Sequence, residues 1–180
     1  MNSINKINHA FDGFGSLLGE GKYPFIMVPD YQRGFDWSSK HVEELWEDLH
    51  YHVDKYMNDE FEDFYCGAII LKSPTSDETR YQIVDGQQRL TSFNLLAIVL
   101  REKFKDIDTD IKRDIDTTFI NDYDDDYNRR PKFLGTKKIR EVLKFISNND
   151  WDGKFPEKDD VGFTDGRKLA PINKKLQDLN

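Results

Sequence analysis

Cysteine is nearly missing from this 180-residue chain: Cys66 stands alone. One thiol cannot build an internal disulfide framework, and such usage suits a reducing cytoplasm. No apolar run approaches the length of a membrane span, and the N-terminus has no basic-then-apolar leader. A soluble intracellular protein is expected. Positive charge is also in short supply, with 26 Lys and Arg against 34 Asp and Glu and a formal net charge of −8. No global field therefore draws the chain to nucleic acid, which disfavours a direct DNA-binding or nuclease domain. GxxxxGK[ST] is absent, so this is not a P-loop enzyme. There is no CxxC and no HExxH, and no Ser-His-Asp arrangement stands out. His41, His50 and His52 lie near one predicted helix, but nothing at metal spacing accompanies them, so they read as surface or core-edge residues.

What is there centres on residues 81–91, Tyr-Gln-Ile-Val-Asp-Gly-Gln-Gln-Arg-Leu-Thr. The pattern is a short buried strand that breaks at Asp85-Gly86 and restarts at once as a helix over 87–104. Such a corner suits an anion, because first-turn N–H groups lack intrahelical partners and the macrodipole adds about half a positive charge. Arg89 stands one turn in, with a planar fork of donors matched to phosphate oxygens. Asp85 adds a carboxylate able to hold a metal ion or orient a water. The same spacing also fits a plain capping box, with Asp85 as N-cap and Gln88 at N3, which needs no ligand.

Around this centre the pattern gives an arm over 1–22 with one short helical turn docked by its aromatics. A buried strand over 25–28 follows, ended by Pro29. Ser38 or Ser39 caps a helix whose stripe is Val42, Leu45, Trp46, Leu49, Val53 and Tyr56, with Glu43 and Glu44 in its first turn. The continuous apolar run 64–71 predicts a strand buried on both faces, forming an antiparallel hairpin with 81–84. Cys66, inside it, reads as a small buried apolar residue rather than a nucleophile, and Gly67 marks a close backbone approach. The helix over 87–104 is apolar so widely that burial nearly all round is expected, with Leu90, Phe93, Leu96, Ala97, Leu100 and Phe104 inward.

Beyond 105 the chain turns acidic. An amphipathic helix is predicted with Ile107, Ile111, Ile115 and Phe119 on one side. Asp122, Asp124 and Asp126 begin like a calcium loop, but Tyr127 and Phe133 occupy the positions that need Gly and Glu, so a solvated turn is favoured. Arg129, Arg130 and Lys132 make a small basic surface cluster. Helices are predicted over 137–146 and from 168, with a loop over 151–166.

Residues 85–92, Asp-Gly-Gln-Gln-Arg-Leu-Thr-Ser, together with Val28-Pro29-Asp30-Tyr31-Gln32-Arg33-Gly34-Phe35-Asp36-Trp37, resemble the N-terminal domain of GmrSD-type restriction endonucleases, within the wider ParB/sulfiredoxin-like group. Both motifs occur in the right order, and the likeness covers about 23–105. It implies an α+β fold, a ParB/sulfiredoxin-like small mixed sheet packed by helices. It further implies an arm over 1–22, a nucleotide-binding core over 23–105, and a mainly helical extension over 106–180 that starts a longer region. The implied activity is Mg²⁺-dependent binding and hydrolysis of a nucleoside triphosphate. The carried-over residues are Tyr31, Gln32, Arg33, Trp37 and Gly86 for binding and Asp85, Gln87, Gln88 and Arg89 for catalysis, with Asp85 on the metal. A nuclease domain or subunit, and DNA through it, is the implied partner; self-association stays open, as does a non-catalytic sensing role. The chain departs from sulfiredoxins in having Gln87 and Gln88 where a cysteine is needed, and from the ParB pattern in having Gln88 where a histidine is usual. No HNH-type motif occurs.

Overall fold

Ile83 and Ile26 are fully buried and lie on neighbouring parallel strands, so the core begins where these two β-branched side chains share one sheet face. The computed structural model describes residues 12–18, 23, 25–75, 79–123, 129–137 and 139–140. Its four-stranded sheet runs in the order β2 (Ile70–Lys72), β3 (Tyr81–Asp85), β1 (Ile26–Met27) and β6 (Phe133–Leu134). β1 is parallel to both β3 and β6, and β2 is antiparallel to β3. This is a mixed sheet packed by helices, in the α+β class expected. The fourth strand comes from beyond residue 105, where the pattern had predicted no strand.

Helix α3 (Gln87–Phe104) leads out of β3 and is buried on almost every side, as its breadth of apolar positions predicted. Leu90 and Ile98 reach the centre of the core. Leu100, expected on the inward face, is instead 40% exposed. Helix α1 (Phe14–Leu18) docks by its aromatics as expected, with Phe14 at 4.9 Å from the Phe93 ring and Leu18 fully buried.

Helix α2 (Ser39–Met57) starts at Ser38, whose N–H donates to His41 Nδ1 (3.2 Å), a histidine doing the job of the usual Glu or Gln in a capping box. Glu43 and Glu44 lie past the first turn, a correction to their expected place at the dipole. Only the N-terminal half of its apolar stripe meets the core, through Val42; Val53 and Tyr56 face solvent.

The largest correction falls on the run 64–71. Only Ile70–Lys72 is strand, and Ile70 is 52% exposed rather than buried. Gly67 adopts φ +92°, which ends extended pairing there, and Cys66 is only half-buried. The hairpin with β3 is antiparallel as predicted, with a register shift between Ile70 and Leu71.

Past α3, Asp108 caps helix α4 (Thr109–Ile115) by accepting from the N–H groups of Asp110 (2.9 Å) and Ile111 (3.0 Å). Ile115 and Phe119 pack on the core while Ile107 and Ile111 stay exposed, so half the predicted apolar side is used. A π-helical turn (Asp116–Ile120) then feeds a two-stranded ladder of β4 (Asn121–Tyr123) and β5 (Arg129–Pro131), which the acidic composition had hidden. Lys132, counted with the surface cluster, is buried and donates to the carbonyls of Thr117 (2.6 Å) and Thr118 (3.2 Å); burial pulls its pKa down. Arg140 donates its backbone N–H to Thr136 O (2.8 Å), beginning the helix expected from 137. The remainder of that helix, the loop over 151–166, the helix from 168 and Asp124 to Tyr127 lie outside the described residues.

Candidate functional site

β1 and β3 lie side by side and point the same way, so whatever follows each strand emerges at one edge of the sheet. After β1 comes the loop 29–38; after β3 comes Asp85, Gly86 and the first turn of α3. The carboxyl ends of adjacent parallel strands are where open sheets receive ligands.

Hydrogen bonds join the two motifs across more than fifty residues of sequence. Gln32 Nε2 donates to Val84 O (3.1 Å), and Gln87 Nε2 donates to Arg33 O (3.0 Å). Gln88 is engaged at both ends: its Nε2 donates to Gly34 O (3.0 Å) and its Oε1 accepts from Asp36 N–H (2.9 Å). Phe35 sits between these anchors, buried in the core. Gln88→Ala removes both bonds and should destabilise the fold by about 1–3 kcal/mol, at roughly 1 kcal/mol or a little more per bond. Chemical denaturation measures this, and a loss under 0.5 kcal/mol would show that Phe35 and the Gln32 and Gln87 bonds hold the loop without Gln88.

The turn itself decides between the two readings of the 85–88 spacing. Gly86 is the N-cap, in the left-handed region at φ +89°, and no side chain caps the helix. Asp85 therefore stands one residue before the cap, exposed at the end of β3, and Gln88 spends its amide on the loop. The capping box is not formed, and the first-turn N–H groups keep no side-chain acceptor among the described residues. Thr91 satisfies the turn from behind, its Oγ1 donating to Gln87 O (2.7 Å).

The other sequence-predicted residues divide by what they touch. Tyr31 is 77% exposed and Arg33 is exposed, both on the rim of the loop. Trp37 stacks on His41 at 5.9 Å between centroids and packs against the core. Arg89 turns back along the sheet: Nη1 donates to Ala68 O (2.7 Å), and the guanidinium lies over Gly67, where an added Cβ would meet Cζ at 2.8 Å. That is the close approach Gly67 was expected to mark. Gln87 is 9% exposed, and its Oε1 is a buried acceptor with no partner.

Sequence reasoning missed Arg140. It reaches back to donate to Val28 O (3.2 Å), Gly135 O (2.7 Å) and Asp30 Oδ1 (3.0 Å), pinning the end of β1 just where the loop leaves it. A lone arginine in a predicted helix carries no signal for that task. Among the described residues no group of three or more His, Cys, Asp or Glu could hold a metal ion, and no helix is long and apolar enough to cross a membrane.

Fold and site define a small α+β domain in which an uncapped helix N-terminus, a carboxylate and an arginine-bearing loop share one sheet edge. The family model of the GmrSD restriction endonuclease N-terminal domain matches residues 14–170, and the chain belongs to that family. No curated protein matches it.

Proposed function

We propose that this domain binds a nucleoside triphosphate at the carboxyl ends of β1 and β3 and hydrolyses it, in the service of DNA restriction and phage defence. The observation that carries the reading is the direct hydrogen bonding of loop 32–36 to the 84–88 turn, which makes one site of two distant motifs. The N–H groups of Gln87 and Gln88 would cradle a phosphate at the positive end of α3. Arg33, exposed beside them, would meet the outer phosphate oxygens, and Arg89 would add the donors that Ala68 O leaves unused.

The donor set fits magnesium, which takes one or two carboxylates and completes its shell with water and phosphate. Asp85 would hold it, and the ion would offset charge on the phosphate oxygens. Gln88 spends both ends of its amide on the loop, which leaves Gln87 to orient the attacking water, and its unpartnered but buried Oε1 would first have to turn toward the ligand. A cytoplasmic setting and a nuclease domain or subunit as partner, with DNA reached through it, complete the proposal.

Phosphate release by the purified chain, with Mg²⁺ and each of the four ribonucleoside triphosphates, tests it. Release should occur and vanish in Asp85→Asn, a change of little structural weight because the Asp85 side chain does not cap α3. Arg89→Ala should weaken nucleotide binding by roughly 1.5–3 kcal/mol. Saturable binding without release would leave a nucleotide sensor, and full activity in Asp85→Asn would remove that carboxylate from the chemistry.

A further inference from the structure

The C-terminal half of α2 and the segment after it carry an apolar surface that nothing among the described residues covers. Tyr51 (55%), Val53 (56%), Tyr56 (64%), Met57 (74%), Phe61 (74%) and Tyr65 (72%) are all exposed. Ring contacts join several of them and Phe64. Tyr56 and Phe61 stand 6.1 Å apart, ring to ring, and His52 bridges Tyr51 at 5.3 Å to Phe64 at 5.0 Å. The spacing of Val53, Tyr56 and Met57 sets them on one side of the helix. A lysine–glutamate bond between Lys55 and Glu62 staples the following segment back onto α2, so the surface is built and not a loose tail. Patches of this kind on soluble domains mark contact sites, and aromatics with methionine are the side chains that interfaces favour.

Charge says what covers it. Residues 39–65 hold nine carboxylates against two lysines, so nearly all of the chain's net −8 is concentrated on this stretch. Nucleic acid is excluded by repulsion. A second copy of the same face would set like charges opposite one another, which disfavours a symmetric dimer here. We propose that the C-terminal half of α2 and residues 58–65 dock a partner protein through an amphipathic segment that pairs apolar side chains with lysine and arginine. The apolar groups seat on Met57, Phe61 and Tyr65, while the partner's cations meet Asp54, Asp59, Glu60 and Asp63. This surface is separate from the nucleotide reading and does not rest on it.

The test uses the full chain and three short amphipathic helical peptides: Leu/Lys, Leu/Glu and Ser/Lys. Fluorescence anisotropy should show saturable binding of the Leu/Lys peptide, weakened by added salt, with the other two at least about tenfold weaker. Met57→Ser with Phe61→Ser should weaken the Leu/Lys peptide at least about tenfold without altering net charge. Both residues are exposed, so thermal melting should be unchanged. Failure of the Leu/Lys peptide to bind, equal binding of the Ser/Lys peptide, or no loss in the double variant overturns the proposal. So does concentration-dependent dimerisation abolished by the double variant, which would give the face to a second copy. Zero-length cross-linking of Glu60 or Glu62 to Lys174 or Lys175 without peptide would give it to the chain's own C-terminal residues, and equally overturns it.

Discussion

Asp116→Ala should destabilise the protein by about 3–5 kcal/mol, a large part of what a small domain has to lose. Asp116 is 7% exposed and sits at the start of the π-helical turn. Its Oδ1 accepts from Arg101 Nη1 (2.9 Å) and Asn121 Nδ2 (3.1 Å), and its Oδ2 accepts from the Tyr123 hydroxyl. Burial first, and that bond second, raise the Tyr123 pKa. Arg101 is itself 3% exposed, with Glu102 Oε1 accepting from its Nε (2.9 Å). Deleting the Asp116 carboxylate takes a carboxylate from a buried guanidinium, and takes an acceptor from Asn121 and from Tyr123 as well. Asp116→Asn keeps an oxygen that can accept from Arg101 and should recover part of the loss. Equilibrium unfolding in urea measures both variants, with the midpoint moving and the slope unchanged. A loss under 1 kcal/mol in Asp116→Ala would mean that these side chains are not joined in solution.

That network shows why the fold was only partly legible in the sequence. Local period reads α2 and α3 well, because helical spacing of apolar residues survives whatever they pack against. It fails where one residue overrides its neighbours. Gly67 at φ +92° turns an apolar run out of extended conformation, and hydrophobicity alone cannot say that Phe64 to Ile69 serve a loop. β4, β5 and β6 are two or three residues long, too short to show alternation, and their pairing with distant partners leaves no local trace. Nothing local marks Arg101 and Asp116 for burial, because charged residues are almost never buried unless paired and pairing is a property of the fold.

The site was legible to a different depth. The strand–glycine–helix corner was plain from Ile83, Val84 and Gly86, since a strand that breaks on glycine and restarts as a helix leaves few other conformations. That loop 29–38 would meet it followed from the family resemblance and not from any period. The separate tasks of Gln87 and Gln88 were invisible: two adjacent amides look alike until one finds two backbone partners and the other keeps an oxygen unpaired. The capping box was a reasonable reading of 85–88, and Gly86 displaced it by taking the cap position itself.

Gly86→Ala tests that displacement and should cost about 1–3 kcal/mol from backbone conformation alone, because a non-glycine residue is then held at φ +89°. Contact adds to it. A Cβ at this position would stand 3.0 Å from Ala68 O and from Ile69 Cγ1, and 3.2 Å from Ile69 Cα. Backbone atoms cannot give way as a flexible side chain would, so segment 68–69 has to retreat from the turn. Gly86→Asn separates the two effects: asparagine tolerates the left-handed region, yet its Cβ meets the same atoms. Asn should therefore recover only part of the stability that Ala loses, and full recovery would mean that sterics are absent. Retreat of Ala68 also removes the carbonyl that Arg89 Nη1 binds, so both variants should reduce any nucleotide-dependent rise in melting temperature. Ala within 0.5 kcal/mol of the parent would place the cap on Asp85 after all, and with it the uncapped N–H groups on which phosphate binding depends.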